Sequence, residues 1–165
     1  KDISSWDVSN VTNMKDLFHF AQSFNINLNN WNVSNVNNMN GLFFNATSFN
    51  QDIGNWNVSN VTDMGRMFGF WWKESVFNQD IGNWDVSKVS NMKEMFLHNN
   101  SFNQDIRNWN VSNVTNMIKM FSWASSFNQN LTKWCVNQIE NEPNEFSLGC
   151  PLENDNKPKW GIPCN

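Results

Sequence analysis

Trp71 and Trp72 stand side by side in the stretch GFWWKESV, with Lys73 and Glu74 immediately after them. Two indoles beside a cation and a carboxylate have the chemistry of recognition: flat apolar faces for stacking, charged groups for hydrogen bonding. The same stretch has a structural reading, in which one or both rings fold back over neighbouring chain. A second set of polar groups recurs at one repeated place: Asp7, Asn32, Asn57, Asp85 and Asn110, each followed two residues on by a serine. Stacked in register, these side chains either satisfy one another along the row or form a grid for a repetitive polar ligand, such as a polysaccharide or ordered water. These nine residues are the binding candidates.

Catalytic chemistry has no comparable support. His19 and His98 fall in predicted helical segments and read as solvated helix-end residues. No H-E-x-x-H, G-x-S-x-G, P-loop or dinucleotide fingerprint occurs. Asp52, Asp80 and Asp105 recur in an Asn-Gln-Asp turn, but Asn27 and Asn130 take the same place in other repeats. A turn that accepts either residue uses the side-chain oxygen as a backbone acceptor, not as a titrating acid. The expectation is therefore no enzyme, no cofactor and no metal.

Those candidates sit on a chain of 165 residues with a net charge of −4 and a pI near 5.0. That balance argues against nucleic acid, which needs clustered Lys and Arg. No apolar run approaches the roughly 18 residues of a membrane-spanning helix. Asn fills 34 positions, ten Trp and fourteen Phe coexist with no Tyr, and charged residues make up only 16%. Polarity is carried by amides and hydroxyls that alternate with large apolar residues.

The alternation is a repeat. Trp6, Trp31, Trp56, Trp84, Trp109 and Trp134 are separated by 25, 25, 28, 25 and 25 residues. Three extra residues between Phe68 and Phe77 make the one long interval. Within a unit, Ile53-x-x-Trp56-x-Val58-x-x-Val61 has the spacing of a leucine-rich-repeat strand. Met14, Leu17, Phe18 and Ala21 then lie at i, i+3, i+4 and i+7, the apolar stripe of a short helix. Asn13 with Asp16, and Asn91 with Glu94, read as helix N-caps with capping-box partners. The predicted fold is an α/β solenoid, leucine-rich-repeat-like, with one short parallel strand and one short helix per 25-residue turn. The Trp residues are expected in its core, as an internal column between successive coils.

The first repeat begins mid-unit, so further repeats upstream or a covering partner are expected there. Residues 1–134 read as the repeat array and 135–165 as a C-terminal capping segment, turn-rich and containing Cys135, Cys150 and Cys164. Their spacing fits no zinc site. A disulfide within the cap is expected, with one cysteine left over. Cys135 paired with either partner would tie the tail to the last repeat, and a disulfide fits an oxidising, extracytoplasmic place.

The motifs Phe-Asn-Gln-Asp, Trp-Asp-Val-Ser and Met-x-x-Met-Phe, in order and in a 25-residue period, resemble the BspA-like bacterial surface-protein repeat over residues 1 to about 134. The resemblance implies a leucine-rich-repeat-like protein, on the bacterial surface or secreted, in adhesion or host contact. It supplies no catalytic residues. The expected function is a non-enzymatic interaction module that adheres to an extracellular protein or glycan. Alternatives are a structural subunit that self-associates through its open N-terminal edge into filaments or layers, and a polysaccharide- or ice-binding repeat surface.

Overall fold

In the second repeat, six backbone hydrogen bonds each span three residues: Trp31 to Leu28, Val36 to Val33, Leu42 to Met39, Phe44 to Gly41, Ala46 to Phe43 and Phe49 to Ala46, at 2.9–3.1 Å. Each closes a β-turn. Leu28, Trp31, Val33, Val36, Met39, Leu42, Phe43, Phe44, Ala46 and Phe49 are first or last residues of these turns, and all are at most 4% exposed. The unit is thus a polygon of turns whose corners point outward and whose ends pack inward. The computed structural model describes residues 2–71 and 75–164, and the same pattern recurs in the other repeats.

Asparagine sets the corners. In the third repeat Asp52, Asn57 and Asp63 each stand just before a turn, and their Oδ1 atoms accept the N–H two residues on, at 2.9–3.2 Å. A side-chain oxygen that mimics a backbone carbonyl starts the turn without cost to the core. Either Asn or Asp supplies that oxygen, which is why the two exchange between repeats and why Asn is so abundant.

Successive coils stack through their backbones. The N–H groups of Met14, Asp16, Phe18 and Phe20 donate to the carbonyls of Asn38, Asn40, Leu42 and Phe44 in the next coil, at 2.8–2.9 Å. The intervening N–H groups of Leu17, His19 and Ala21 donate within their own coil, to Met14, Asp16 and Phe18. Isolated parallel bridges join Asn13, Asn38, Asp63, Asn91 and Asn116 in series.

This arrangement corrects the predicted α/β solenoid with one strand and one helix per turn. Among the described residues there is no named strand, and the only helix is a 3₁₀ turn at Asn154–Asn156. The i, i+3, i+4 stripe is real, but an α-helix would close every N–H on its own segment. Here alternate N–H groups are drawn to the neighbouring coil. Asp16 and Phe20 take positive φ (56° and 59°), which breaks any helical run. Asn13 and Asn91 accordingly cap no helix; their Oδ1 atoms accept from Lys15 and Lys93 at the start of turns. The leucine-rich-repeat strand spacing, three-two-three, is the spacing of two linked turns, Ile53–Trp56 and Val58–Val61.

The core holds three aromatic columns. Trp31, Trp56, Trp84, Trp109 and Trp134 are 3–4% exposed. Their indole N–H groups donate to Ile3, Leu28, Ile53, Ile81 and Ile106 of the preceding coil, at 3.0–3.1 Å. Each ring therefore buries its area and still satisfies its one polar group. Beside them Phe43, Phe68, Phe96 and Phe121 stack along the axis at 5.5–5.9 Å between centroids. Phe49, Phe77, Phe102 and Phe127 form the parallel column at 6.0–6.2 Å. At about 1.5–3 kcal/mol per fully buried large side chain, these columns dominate the cohesion between coils.

At the C-terminal end the N–H groups of Lys119, Phe121 and Trp123 donate to Asn144, Phe146 and Leu148. Cys135 is disulfide-bonded to Cys164, with a Cα separation of 5.6 Å, and Cys150 is the unpaired thiol. Cys150 Sγ donates to the Phe127 carbonyl at 3.2 Å, and burial pushes its thiol pKa up. Among the described residues no helix is long and apolar enough to cross a membrane.

Candidate recognition groove

The second half of most coils places two residues in the left-handed backbone region, at the third position of consecutive turns; the third coil places one, Arg66. One column reads Asp16, Gly41, Arg66, Glu94 and Lys119; the other includes Phe20, Asn45, His98 and Trp123. Glu145 and Gly149 continue both columns into the capping segment. Left-handed φ costs a residue with a Cβ roughly 1–2 kcal/mol, and glycine almost nothing. Gly41 and Gly149 take that easy solution. Arg66, Glu94, His98, Lys119, Trp123 and Glu145 do not, and all six line a single groove of about 280 Å³. Asp16, Phe20 and Asn45 take the same conformation at the same turn positions outside the groove, so the repeated turn sets the backbone and the side chains distinguish the groove.

Trp71 and Trp123 contribute aromatic surface, 42% and 49% exposed. Trp71 is held from behind: Phe20 and Phe44 meet its ring edge to face, at 5.6 and 5.4 Å, and its N–H donates to Asn45 Oδ1 at 3.0 Å. Trp123 packs over Gly149, where a built Cβ would lie 2.5 Å from the indole. His98 lies parallel to Trp123, and partial burial lowers its pKa from 6.5. In the amide orientation that pairs its donors with acceptors, Asn100 ties the carbonyls of His98 and Trp123 together, at 3.3 and 3.0 Å.

Between the aromatics run two ion pairs. Arg66 Nε sits 2.7 Å from Glu94 Oε2, and Lys119 Nζ sits 3.2 Å from Glu145 Oε2. Lys93 Nζ approaches the other oxygen of Glu94 at 3.6 Å. Half-exposed pairs of this kind add at most about 1 kcal/mol to stability. Ser122 lines the groove, is 1% exposed, and its Oγ has no hydrogen-bond partner. A buried unsatisfied hydroxyl costs about 1–3 kcal/mol.

One family model matches the chain twice, over residues 1–70 and 69–160; its description is "Mycoplasma protein of unknown function, DUF285". The chain belongs to this family. No curated protein and no solved structure matches it. The two DUF285 matches meet at residues 69–70, immediately before Trp71, so the irregular segment lies at their junction.

In this DUF285 chain the sequence candidates fall in two places. Trp71 lines the groove; Trp72, Lys73 and Glu74 lie outside the described residues. Asp7, Asn32, Asn57, Asp85 and Asn110 lie elsewhere on each coil, exposed, with Oδ1 accepting from the backbone N–H of Ser9, Ser34, Ser59, Ser87 and Ser112 at 3.0–3.2 Å. Contacts along the axis are made by their neighbours instead: Asn35, Asn60 and Asn113 donate to the carbonyls of Ser9, Ser34 and Ser87 at 2.7–2.8 Å. Hydrogen bonds from the Ser9 and Ser87 groups hold the Asp7 and Asp85 carboxyls below the usual carboxylate range. Among the described residues no three His, Cys, Asp or Glu side chains gather as a metal site.

Sequence reasoning missed Arg66, Glu94, Lys119, Glu145, His98, Ser122 and Trp123. The predicted helix scattered them around its surface. One signal was present: the position two after the repeated methionine reads Asp16, Gly41, Arg66, Glu94, Lys119, an alternation of charge in a chain otherwise poor in charge.

Proposed function

We propose that this protein is a non-enzymatic interaction module, secreted or displayed at a cell surface, that adheres to an extracellular protein or glycan through the Trp71–Trp123 groove. The observation that carries the reading is the placing of two exposed indoles, Trp71 and Trp123, in one groove with two ion pairs and the buried, unpartnered Ser122 hydroxyl. Two further observations support it: the bracing of Trp71 from behind by Phe20 and Phe44 suits a binding hot spot, and the Cys135–Cys164 disulfide suits an oxidising compartment. The BspA-like resemblance of the repeat motifs agrees with adhesion.

The test is attachment of beads coated with the chain to host-cell and extracellular-matrix surfaces. Trp71→Ala with Trp123→Ala is expected to abolish attachment, while Lys88→Ala, outside the groove, retains it. Attachment that survives the double substitution in a folded chain removes the groove from the model.

A second reading rests on a separate face. Ile3, Trp6, Leu17, Phe18, Phe24 and Ile26 line an apolar groove of about 540 Å³ at the first coil, where Trp6 is 58% and Leu17 49% exposed. End-to-end self-association through this face would give a structural subunit. Sedimentation decides it: a monomer at high concentration excludes that role for the chain.

A further inference from the structure

We propose that the Trp71–Trp123 groove takes one neutral hexopyranose ring of a glycan chain. The proposal rests on the reading above that this groove is the recognition site, and it names the ligand class.

Size comes first. At about 280 Å³ the groove is at the lower end of small-molecule pockets, which start near 300 Å³. It holds a single ring, with the rest of a chain running into solvent. Shape and surface come second. A pyranose has an apolar C–H face and an edge of hydroxyls. The exposed indoles of Trp71 and Trp123 offer flat apolar surface to the face. The Arg66–Glu94 and Lys119–Glu145 pairs set a donor beside an acceptor. That is what two adjacent hydroxyls require, since each both gives and takes a hydrogen bond.

Ser122 is an independent pointer. Its hydroxyl is buried and unpartnered, so a ligand hydroxyl that reaches it satisfies a group the fold leaves unsatisfied. An apolar protein side chain in the groove would leave this hydroxyl unpartnered and strip water from two ion pairs, a costly arrangement.

Charge selects among sugars. Arg66 and Lys119 are balanced in the lining by Glu94 and Glu145. Each cation is already paired with a carboxylate, so a uronate or a protonated aminosugar must break a pair and leave a like charge beside it, whereas a neutral ring leaves both pairs in place.

The experiment follows the indole N–H signals of the isotopically labelled chain as methyl glucoside, methyl galactoside, methyl mannoside, methyl glucuronide and protonated glucosamine are added in turn. At least one neutral glycoside is expected to shift the Trp71 and Trp123 signals and leave Trp31, Trp56 and Trp84 unmoved. Glucuronide and glucosamine are expected to bind about tenfold more weakly. Trp123→Ala should abolish the response, and Ser122→Ala, which keeps the ring surfaces, should weaken it severalfold. Replacing both carboxylates (Glu94→Gln with Glu145→Gln) should invert the preference towards glucuronide. The proposal is overturned if no neutral glycoside moves the groove signals, if Ser122→Ala leaves binding unchanged, or if wild type prefers the uronate. Loss of bead attachment in the double Trp variant, with no glycoside bound, would leave the groove as the site and remove the sugar. Persistence of attachment would remove the groove itself.

Discussion

The imidazole of His98 lies within 5° of parallel to the indole of Trp123, with ring centroids 6.1 Å apart. Burial there disfavours the charged imidazolium and lowers the His98 pKa from 6.5. The sign of the pH dependence follows. As pH falls past 6.5, the unfolded chain takes up a proton at this residue before the folded chain does. Stability from His98 is therefore complete above that pH and is lost below it, until the folded residue also protonates. Urea midpoints between pH 7.5 and 5 are expected to fall in wild type and to fall less in His98→Asn, which also tolerates left-handed φ.

The Asx turns make a separable prediction. Asn57 Oδ1 accepts from both the N–H and the hydroxyl of Ser59, at 3.2 and 2.7 Å. Asn57→Ala is expected to cost about 0.5–1.5 kcal/mol by chemical denaturation, the net worth of an ordinary hydrogen bond, and Asn57→Asp much less. Asp85 is the acidic version, its pKa lowered from 3.8 by hydrogen bonds from Ser87. Its contribution is present above 3.8 and is lost as pH falls through the lower folded value. Asp85→Asn should match wild type at pH 7 and withstand acid better.

Core and edge tryptophans should behave oppositely. Trp84 is 4% exposed and its indole donates to Ile53; Trp6, at the same repeat position, is 58% exposed. Trp84→Ala is expected to cost about 3–5 kcal/mol, and Trp6→Ala about 0.5 kcal/mol or less. Equal losses in urea titrations would mean that the indole column does not bind the coils together.

The legible part of the fold was the part that depends on spacing. A Trp every 25 residues, with one interval of 28, required identical units in register, and the buried column from Trp31 to Trp134 follows. The backbone within a unit was not legible. Met14, Leu17, Phe18 and Ala21 give one apolar face either as a helix or as two turns. The choice is made by hydrogen bonds to the next coil, such as Phe18 to Leu42, which no window of one repeat contains. The same ambiguity hid the groove. Trp71 stood out because it breaks the period, whereas Trp123 sits at a regular position and drew no notice. Its exposure depends on the left-handed φ of 58° at that turn.

The Cys135–Cys164 bridge closes a loop with a sequence separation of 29. Chain-entropy arguments give such a loop about 3–4 kcal/mol of stabilisation. Reductant is expected to lower the melting temperature of wild type and of Cys150→Ser by similar amounts, and to leave Cys135→Ser unaffected. If Cys150→Ser instead loses its sensitivity to reductant, the pairing is wrong.

The division of each turn into inward ends and outward middles has a consequence for how such proteins diversify. The large apolar side chains that pack coil on coil and most of the side chains that meet the outside world occupy different positions of the turn. Two letters at the corner of any turn can drift, or a whole coil can be duplicated or exchanged, without disturbing the columns of rings behind them. One scaffold can in this way display many different faces, and a lineage pressed to alter what it touches need not reinvent how it folds.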